Sequence, residues 1–366
     1  MVKTYRIYIL ITILLSFLQS NTNQISNWEC YSEHNKSNQE PANHSSNTRN
    51  LEKVVIRTKI WKIHTSEGLF EMTENAIEDG FSRLIDVYKD SNILIHLVDI
   101  ENIYNDSLYY FSYYGRPFEL MQSHTVDTLI NFYYLPSIDY TGGTLTGYGQ
   151  AFNTPGNELF VAGNECQNVN SELICYDLAN TFIPIHELGH CLGLFHPHTV
   201  TYGIENVIRP DEHPHNPCEV NCDSTGDFLC DTEASNSLKN DVVSNGQDCS
   251  YDLIEIDSCG YTYQPQIDNF MSYTHFDCAT SFTQEQVNKM FIEIENDHTL
   301  SQTIIDIGDF NDDSIVNIVD VIVLVNNVLN EENLSELHFW IGDINNDLAI
   351  NIMDIVLIVN MILEQD

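Results

Sequence analysis

One run of the 366-residue chain concentrates metal-binding chemistry: His186-Glu187-Leu188-Gly189-His190-Cys191-Leu192-Gly193-Leu194-Phe195-His196. Histidines four apart stand one turn apart on the same face of a helix, so His186 and His190 can offer their imidazoles to one ion. Gly193 is free to take the positive φ that ends a helix and turns the chain, after which His196 arrives as a third ligand. Three protein ligands leave one tetrahedral zinc position open, the arrangement of a catalytic site and not of a structural one. Glu187 adjoins the first ligand and is placed to take a proton from a zinc-bound water as that water attacks a carbonyl. The chemistry predicted is zinc-dependent hydrolysis.

A second concentration lies at the C-terminal end. With Asp309 as position one of a loop, Asn311 is three, Asp313 five, Asn317 nine and Asp320 twelve. The same spacing returns 34 residues later as Asp343, Asn345, Asp347, Asn351 and Asp354. These are the oxygen positions of an EF-hand-like Ca²⁺ loop, with the carbonyls of Ile315 and Ala349 at position seven. The usual glycine at position six is Ser314 in one loop and Leu348 in the other. A side chain in that sharp turn costs energy and is expected to weaken Ca²⁺ binding, more so at the second loop. Each loop leads into an apolar helix, and two such units bury faces that neither could bury alone.

These residues need elements to position them. Val54-Val55-Ile56 and Ile60-Trp61-Lys62-Ile63, Asn92 to Ile100, and Thr128 to Leu135 read as strands. Glu158 to Val161 reads as an exposed edge strand along which a peptide would lie antiparallel. Ile77, Phe81, Leu84, Ile85 and Tyr88 fall at helical intervals within Glu74 to Tyr88. The zinc helix is expected from about Thr181 to Leu192, capped by Asn180 or Thr181, with Pro184 in its first turn. Cys191 on that helix faces away from the ligands and reads as a disulfide or a buried thiol. Residues 197–268 are loop-like, Gln284 to Ile294 forms a closing helix, and Glu295 to Thr303 is a polar linker. Strands and helices mixed in this order predict an α+β (α/β) domain with a twisted mixed sheet, followed by a small all-α C-terminal module.

The chain carries 54 Asp+Glu against 14 Lys+Arg, a formal net charge of -40, which argues against a nucleic-acid partner. A hydrophobic content of 43% excludes a wholly disordered acidic chain. Residues 305–366 hold 13 acidic residues and no Lys or Arg, so bound cations account for that tail better than solubility does. Lys3 and Arg6 followed by the apolar run Ile7 to Leu18 predict a secretory signal peptide over 1–20, and no other stretch reads as a membrane span. Ten cysteines fit an exported, oxidised protein. The expected divisions are a leader over 21–53, a catalytic domain over 54–298 and a Ca²⁺-binding module over 305–366. Cys30 in the leader is a candidate latency ligand for the open zinc position.

The pattern HExxHxxGxxH resembles the signature of metzincin zinc endopeptidases, which also place a methionine turn beneath the metal. That resemblance assigns Met271, in Asn269-Phe270-Met271-Ser272-Tyr273, as the apolar floor, and Tyr273 as a residue that ligates the resting ion or hydrogen-bonds the oxyanion. Gly226-Asp227-Phe228-Leu229-Cys230-Asp231-Thr232, and Cys278 with Phe282-Thr283-Gln284-Glu285-Gln286, are similar to segments of the pappalysin-like group. Members of that group bind Ca²⁺ in this loop region, which makes Asp227 and Asp231 candidate ligands. Glu233 departs from the proline that usually follows Asp-Thr. Residues 305–366 resemble a type I dockerin, which implies a cohesin-type protein partner, with Ile318-Val319 and Ile352-Met353 as contacts. The residues therefore predict a secreted zinc endopeptidase acting on peptide or protein substrates. A non-catalytic adhesive component with the zinc domain as scaffold is the other reading, against which Glu187 argues.

Overall fold

Val54–His64 forms a long strand, β1, because its aliphatic and aromatic residues are buried on both faces, as expected inside a parallel sheet covered on two sides. In the computed structural model the described residues are 53–70, 72–109, 118–135, 148–169, 172–209, 220–238, 241–246, 248–330 and 334–364. The expected signal peptide and the leader as far as residue 52, with Cys30, lie outside them. The helix α1 (Glu74–Asp90) follows β1, started by Thr73, whose side chain accepts from the Ala76 N–H. Its buried face carries Ala76, Ile77, Gly80, Phe81, Leu84 and Tyr88.

β2 (Ile93–Tyr104) pairs parallel with one edge of β1 along its whole length. β3 (Ile130–Leu135) pairs parallel with the other edge, from Thr58↔Ile130 to Lys62↔Tyr134. β4 (Tyr148–Ala151) and β5 (Glu158–Ala162) complete this side, β5 parallel to β3 and β4 antiparallel to β5. The expectation for Glu158 to Val161 is thereby corrected: β5 is bonded on both edges and buried, and among the described strands β4 lies at the edge. Beyond the sheet come the hairpin β6 (Asn164–Val169) and β7 (Glu172–Asp177), then the zinc-motif helix α2 (Ile183–Cys191). A short hairpin of β8 (Val242–Ser244) and β9 (Cys249–Tyr251) lies within the long loop, before α3 (Gln284–Asn296).

One face of the sheet, with Ile56, Ile60, Phe132 and Tyr134, packs on α1, α2 and α3 through Phe81, Leu84, Leu188 and Met290. The other face is covered in two patches. Trp61, Ile63, Tyr133 and Phe160 pack under Leu108, Tyr109 and Met121. Val55 and Leu94 join Phe310, Val321, Leu324, Ile341 and Ile358 of the C-terminal segment.

That second cover was not expected, since Glu295 to Thr303 reads as a linker. Instead α3 runs to Asn296, a turn buries Leu300 and Thr303, and β10 (Ile304–Ile305) pairs antiparallel with β1 at Val55 and Ile56. The C-terminal module then consists of α4 (Ile318–Asn330), α5 (Glu336–Gly342) and α6 (Ile352–Glu364). A helix, α5, thus precedes the second loop, where only the helix after each loop is evident in the sequence. Among the described residues no helix is long and apolar enough to cross a membrane.

Candidate metal centre

The first turn of α2 is held from both sides of its start. Thr181 Oγ1 accepts from the Ile183 N–H at 3.2 Å and itself donates to Leu178 O at 2.8 Å, with Pro184 in the first turn. The expected side-chain cap by Asn180 or Thr181 is not made: the residue at the cap is Phe182, which offers no side-chain hydrogen bond, and Thr181 closes a turn just ahead of it. At the other end Gly193 takes φ +91° and the chain reverses, returning His196 to the face that carries His186 and His190. The Leu194 N–H reaches Gly189 O at 2.9 Å and fixes that reversal.

The three imidazoles converge. Nε2 of His186 lies 3.1 Å from Nε2 of His196 and 3.2 Å from Nε2 of His190, and the last two are 2.9 Å apart. His186 Nδ1 sits 2.7 Å from Phe270 O, and His190 Nδ1 sits 2.7 Å from Leu194 O. A carbonyl accepts only from a protonated nitrogen, so both rings carry their proton on Nδ1 and turn a bare Nε2 lone pair inward. Burial pushes His186 down to about 4, which keeps the ring neutral at physiological pH. Lone pairs facing one another in a dry pocket repel unless a cation lies between them. Nitrogens held tetrahedrally by zinc at about 2.0–2.1 Å stand about 3.3–3.4 Å apart, close to the separations here. The donor set fits a zinc ion, and among the described residues it is the cluster of such ligands whose donor atoms lie within 4.8 Å of one another.

Glu187 is fully buried, and its Oε2 accepts from the Ala151 N–H of β4 at 2.9 Å. Its Oε1 presses on the same strand: a Cβ on Gly149 would come within 2.6 Å of it. The carboxylate is therefore locked between the zinc helix and the edge strand.

The methionine turn lies beneath. Met271 is buried, and its Sδ fills the space beside Gly189 where a Cβ would lie only 2.6 Å away. Asn269 Oδ1 accepts from the Met271 N–H at 2.8 Å, and Asn269 Nδ2 donates to Gln286 Oε1 at 2.8 Å. Gln286 is also the third residue of α3 and closes a reciprocal capping box with Thr283. The floor of the site and the start of α3 are thus one hydrogen-bonded unit. Tyr273 packs its ring 4.6 Å from that of His196 and 6.0 Å from that of His186, beside the metal ligands as expected.

The remaining predicted residues divide. Asp227 is fully buried, its Oδ1 accepting from Thr232 Oγ1 at 2.9 Å and the Leu229 N–H at 3.1 Å, while Oδ2 has no hydrogen-bond partner. Burial pushes its carboxyl up to about 7. Asp231 is engaged elsewhere: it accepts from Thr283 Oγ1 at 2.7 Å and the Glu285 N–H at 2.8 Å, at the start of α3. Glu205, absent from the sequence expectations, is buried and pushed up to about 8 by that burial although Arg209 lies 3.0 Å away. Nothing in its local sequence marks it, because the fold brings it near Asp227 from a separate loop. Glu233, where proline is usual, stands 4.0 Å from Arg209. Cys191 is a buried free thiol, 3.5 Å from Glu158 O.

In the C-terminal loops the two repeats are superposable in their hydrogen bonds. Asp320 Oδ1 accepts from the Phe310 and Asn311 N–H groups and Oδ2 from Asn317 N–H. Asp354 does the same for Ile344, Asn345 and Asn351. Asp309 Oδ2 accepts from the Ser314 N–H and Asp343 Oδ2 from the Leu348 N–H. Asn311 and Asn345 accept from Asp313 and Asp347, whose carboxylates accept in turn from Ile315 and Ala349. Ser314 and Leu348 adopt φ of +63° and +66°, the left-handed turn for which glycine is the usual residue.

Comparison with known proteins gives two likenesses. The chain is 34% identical to human pappalysin-1 over 115 residues, which is 30% of this chain and 6% of that protein. Mouse pappalysin-1 gives 33% over the same length, and the chain spans about 6% of the length of these curated relatives. A solved structure of mature mirolysin from Tannerella forsythia, in complex with a cleaved peptide, aligns with TM-score 0.43 at 16% identity, covering 69% of this chain and 98% of that one. No family model matches the chain.

Proposed function

We propose that this protein is a zinc-dependent endopeptidase of the metzincin type, secreted, with a Ca²⁺-binding C-terminal module that attaches it to a partner. The observation that carries the catalytic reading is the convergence of three buried imidazoles, Nε2 atoms 2.9–3.2 Å apart, with a buried carboxylate on the residue next to the first of them. The 34% identity to pappalysin-1 supports it.

His186, His190 and His196 would hold the metal. Bound zinc supplies a Lewis acid that polarises a carbonyl and lowers the pKa of water. Glu187 accepts the proton of the attacking water and passes it to the leaving amine. Its Oε2, tied to the Ala151 N–H, keeps it from swinging away between these steps. Tyr273 donates its phenol O–H to the oxygen on which negative charge develops. A substrate peptide extends antiparallel along the outer edge of β4, which no described strand pairs with and whose backbone already touches Glu187, so that binding by strand addition delivers the scissile bond to the carboxylate.

The long loop offers a cation site at Asp227 and Glu205, whose buried carboxylates a Ca²⁺ would neutralise. The tail loops would take one Ca²⁺ each through Asp309, Asn311, Asp313, Asn317 and Asp320, and through Asp343, Asn345, Asp347, Asn351 and Asp354. Ile318, Val319, Ile352 and Met353 stay 46–65% exposed at the two loop-to-helix junctions, which supports a duplicated docking face for a cohesin-type protein. The disulfides Cys222–Cys230 and Cys249–Cys278 support an oxidising compartment.

A peptide library incubated with the purified protein tests the catalytic reading. Cleavage that o-phenanthroline stops and added zinc restores is expected, and cleavage indifferent to the chelator would refute it. For the tail, capture of a cohesin-bearing protein should vanish when Ca²⁺ is removed, and no capture at any Ca²⁺ level would end the docking reading.

A further inference from the structure

The turn that follows the third ligand carries a fourth imidazole that the zinc pattern does not use. Thr199 N–H donates to His196 O at 3.0 Å, closing a turn with Pro197 and His198 at its two central positions. Pro197 pre-sets the backbone for such a turn. As a result the His198 ring folds back over His196, centroids 4.9 Å apart and planes 15° from parallel. Tyr273 lies against this stack, 4.6 Å from His196 and 4.5 Å from His198. His198 Nδ1 is buried without a hydrogen-bond partner, whereas Nδ1 of His186 and of His190 each meets a carbonyl at 2.7 Å. The turn and the ring contacts, not an Nδ1 hydrogen bond, therefore fix where His198 sits.

We infer that His198 is a positioning residue: its ring forms, with that of His196, the wall that holds the Tyr273 phenol over the metal centre. This rests on the reading of Tyr273 as the oxyanion donor of a zinc peptidase. A phenol that must meet charge developing on one oxygen works through preorganisation, and a ring free to rotate away arrives at the transition state less often. The ground-state peptide, held along β4, makes no demand on it. Loss of the wall should thus appear in kcat and leave KM alone.

Two readouts decide the matter. In a crystal structure of metal-free His198→Ala, the Tyr273 ring should leave its 4.6 Å contact with His196. In the zinc-loaded variant kcat should fall about tenfold, with KM within about twofold and zinc content unchanged. His198→Phe, which keeps a ring in the stack, should recover the parent rate. In a Tyr273→Phe background, where the hydroxyl is already gone, His198→Ala should cost nothing further. An unmoved Tyr273 ring, or an equal loss of rate in that background, overturns the inference. Absence of cleavage by the parent protein would strike the peptidase reading instead, and the position of the Tyr273 ring would still decide whether His198 holds it.

Discussion

At the scale of single residues the site is built by constraint from several directions at once. His186 and His190 have their tautomers set by Phe270 O and Leu194 O, and Glu187 is clamped by the Ala151 N–H and the backbone at Gly149. Gly149 makes this testable without touching a chemical group. A methyl there would collide with Ile183 Cγ2 at 2.5 Å and Glu187 Oε1 at 2.6 Å. Displacing a proton acceptor by about 1 Å can cost about 10²-fold, so Gly149→Ala should lower kcat by that order with zinc content unchanged. Steady-state kinetics beside metal analysis checks it, and full activity would show that the strand does not hold Glu187. The ligands were legible in the sequence because a helix fixes their relation over a few residues, and the glycine turn fixes the third. Glu205 and the His198 stack were not, since one depends on two loops meeting and the other on a turn that folds a ring back onto its neighbour.

At the scale of elements, helices read from periodicity came out nearly as expected, α1 and α3 above all, because their burial pattern is written within each segment. Edge status is different. β5 is apolar at four of its five positions, yet whether it lies inside the sheet or at its edge depends on Tyr148–Ala151 pairing outside it, a fact about another segment. The methionine turn shows how elements share a support: Asn269 is bonded to Gln286, which also caps α3. Gln286→Leu removes these bonds in a buried place and strips Asn269 Nδ2 of its Gln286 partner, while Asn269 Oδ1 keeps the Met271 N–H, at a cost of about 1–3 kcal/mol. The urea midpoint should drop accordingly with the slope unchanged. An unaltered midpoint would show that turn and helix are independent.

At the scale of the whole molecule the C-terminal module is not strung on a linker. β10 extends the sheet and the module's core covers Val55 and Leu94. Lys53 just ahead of β1, Arg57 on β1 and Lys89 in the last turn of α1 cross to it, meeting Asp343 O, Asp312 and Glu336, so basic residues of the first domain face the acidic tail. Polar composition hid this from the sequence, because the strand that joins the two parts is only Ile304–Ile305 and its partner lies far upstream. A chain ended at residue 303 would expose Val55 and Leu94, about 3–6 kcal/mol of aliphatic burial. Its melting temperature should fall well below that of the full chain, and an equal melting temperature would show that the module adds nothing to the sheet. In the full chain, removal of Ca²⁺ should act in the same direction through the tail loops, read by the same melting curves with and without chelator. The central claim, that three histidines hold a zinc with which Glu187 cleaves peptides, is tested most directly by Glu187→Ala. The account predicts a variant that binds one zinc like the parent and cleaves peptides about 10²–10⁴-fold more slowly. A zinc-loaded variant that cleaves as fast as the parent would contradict it.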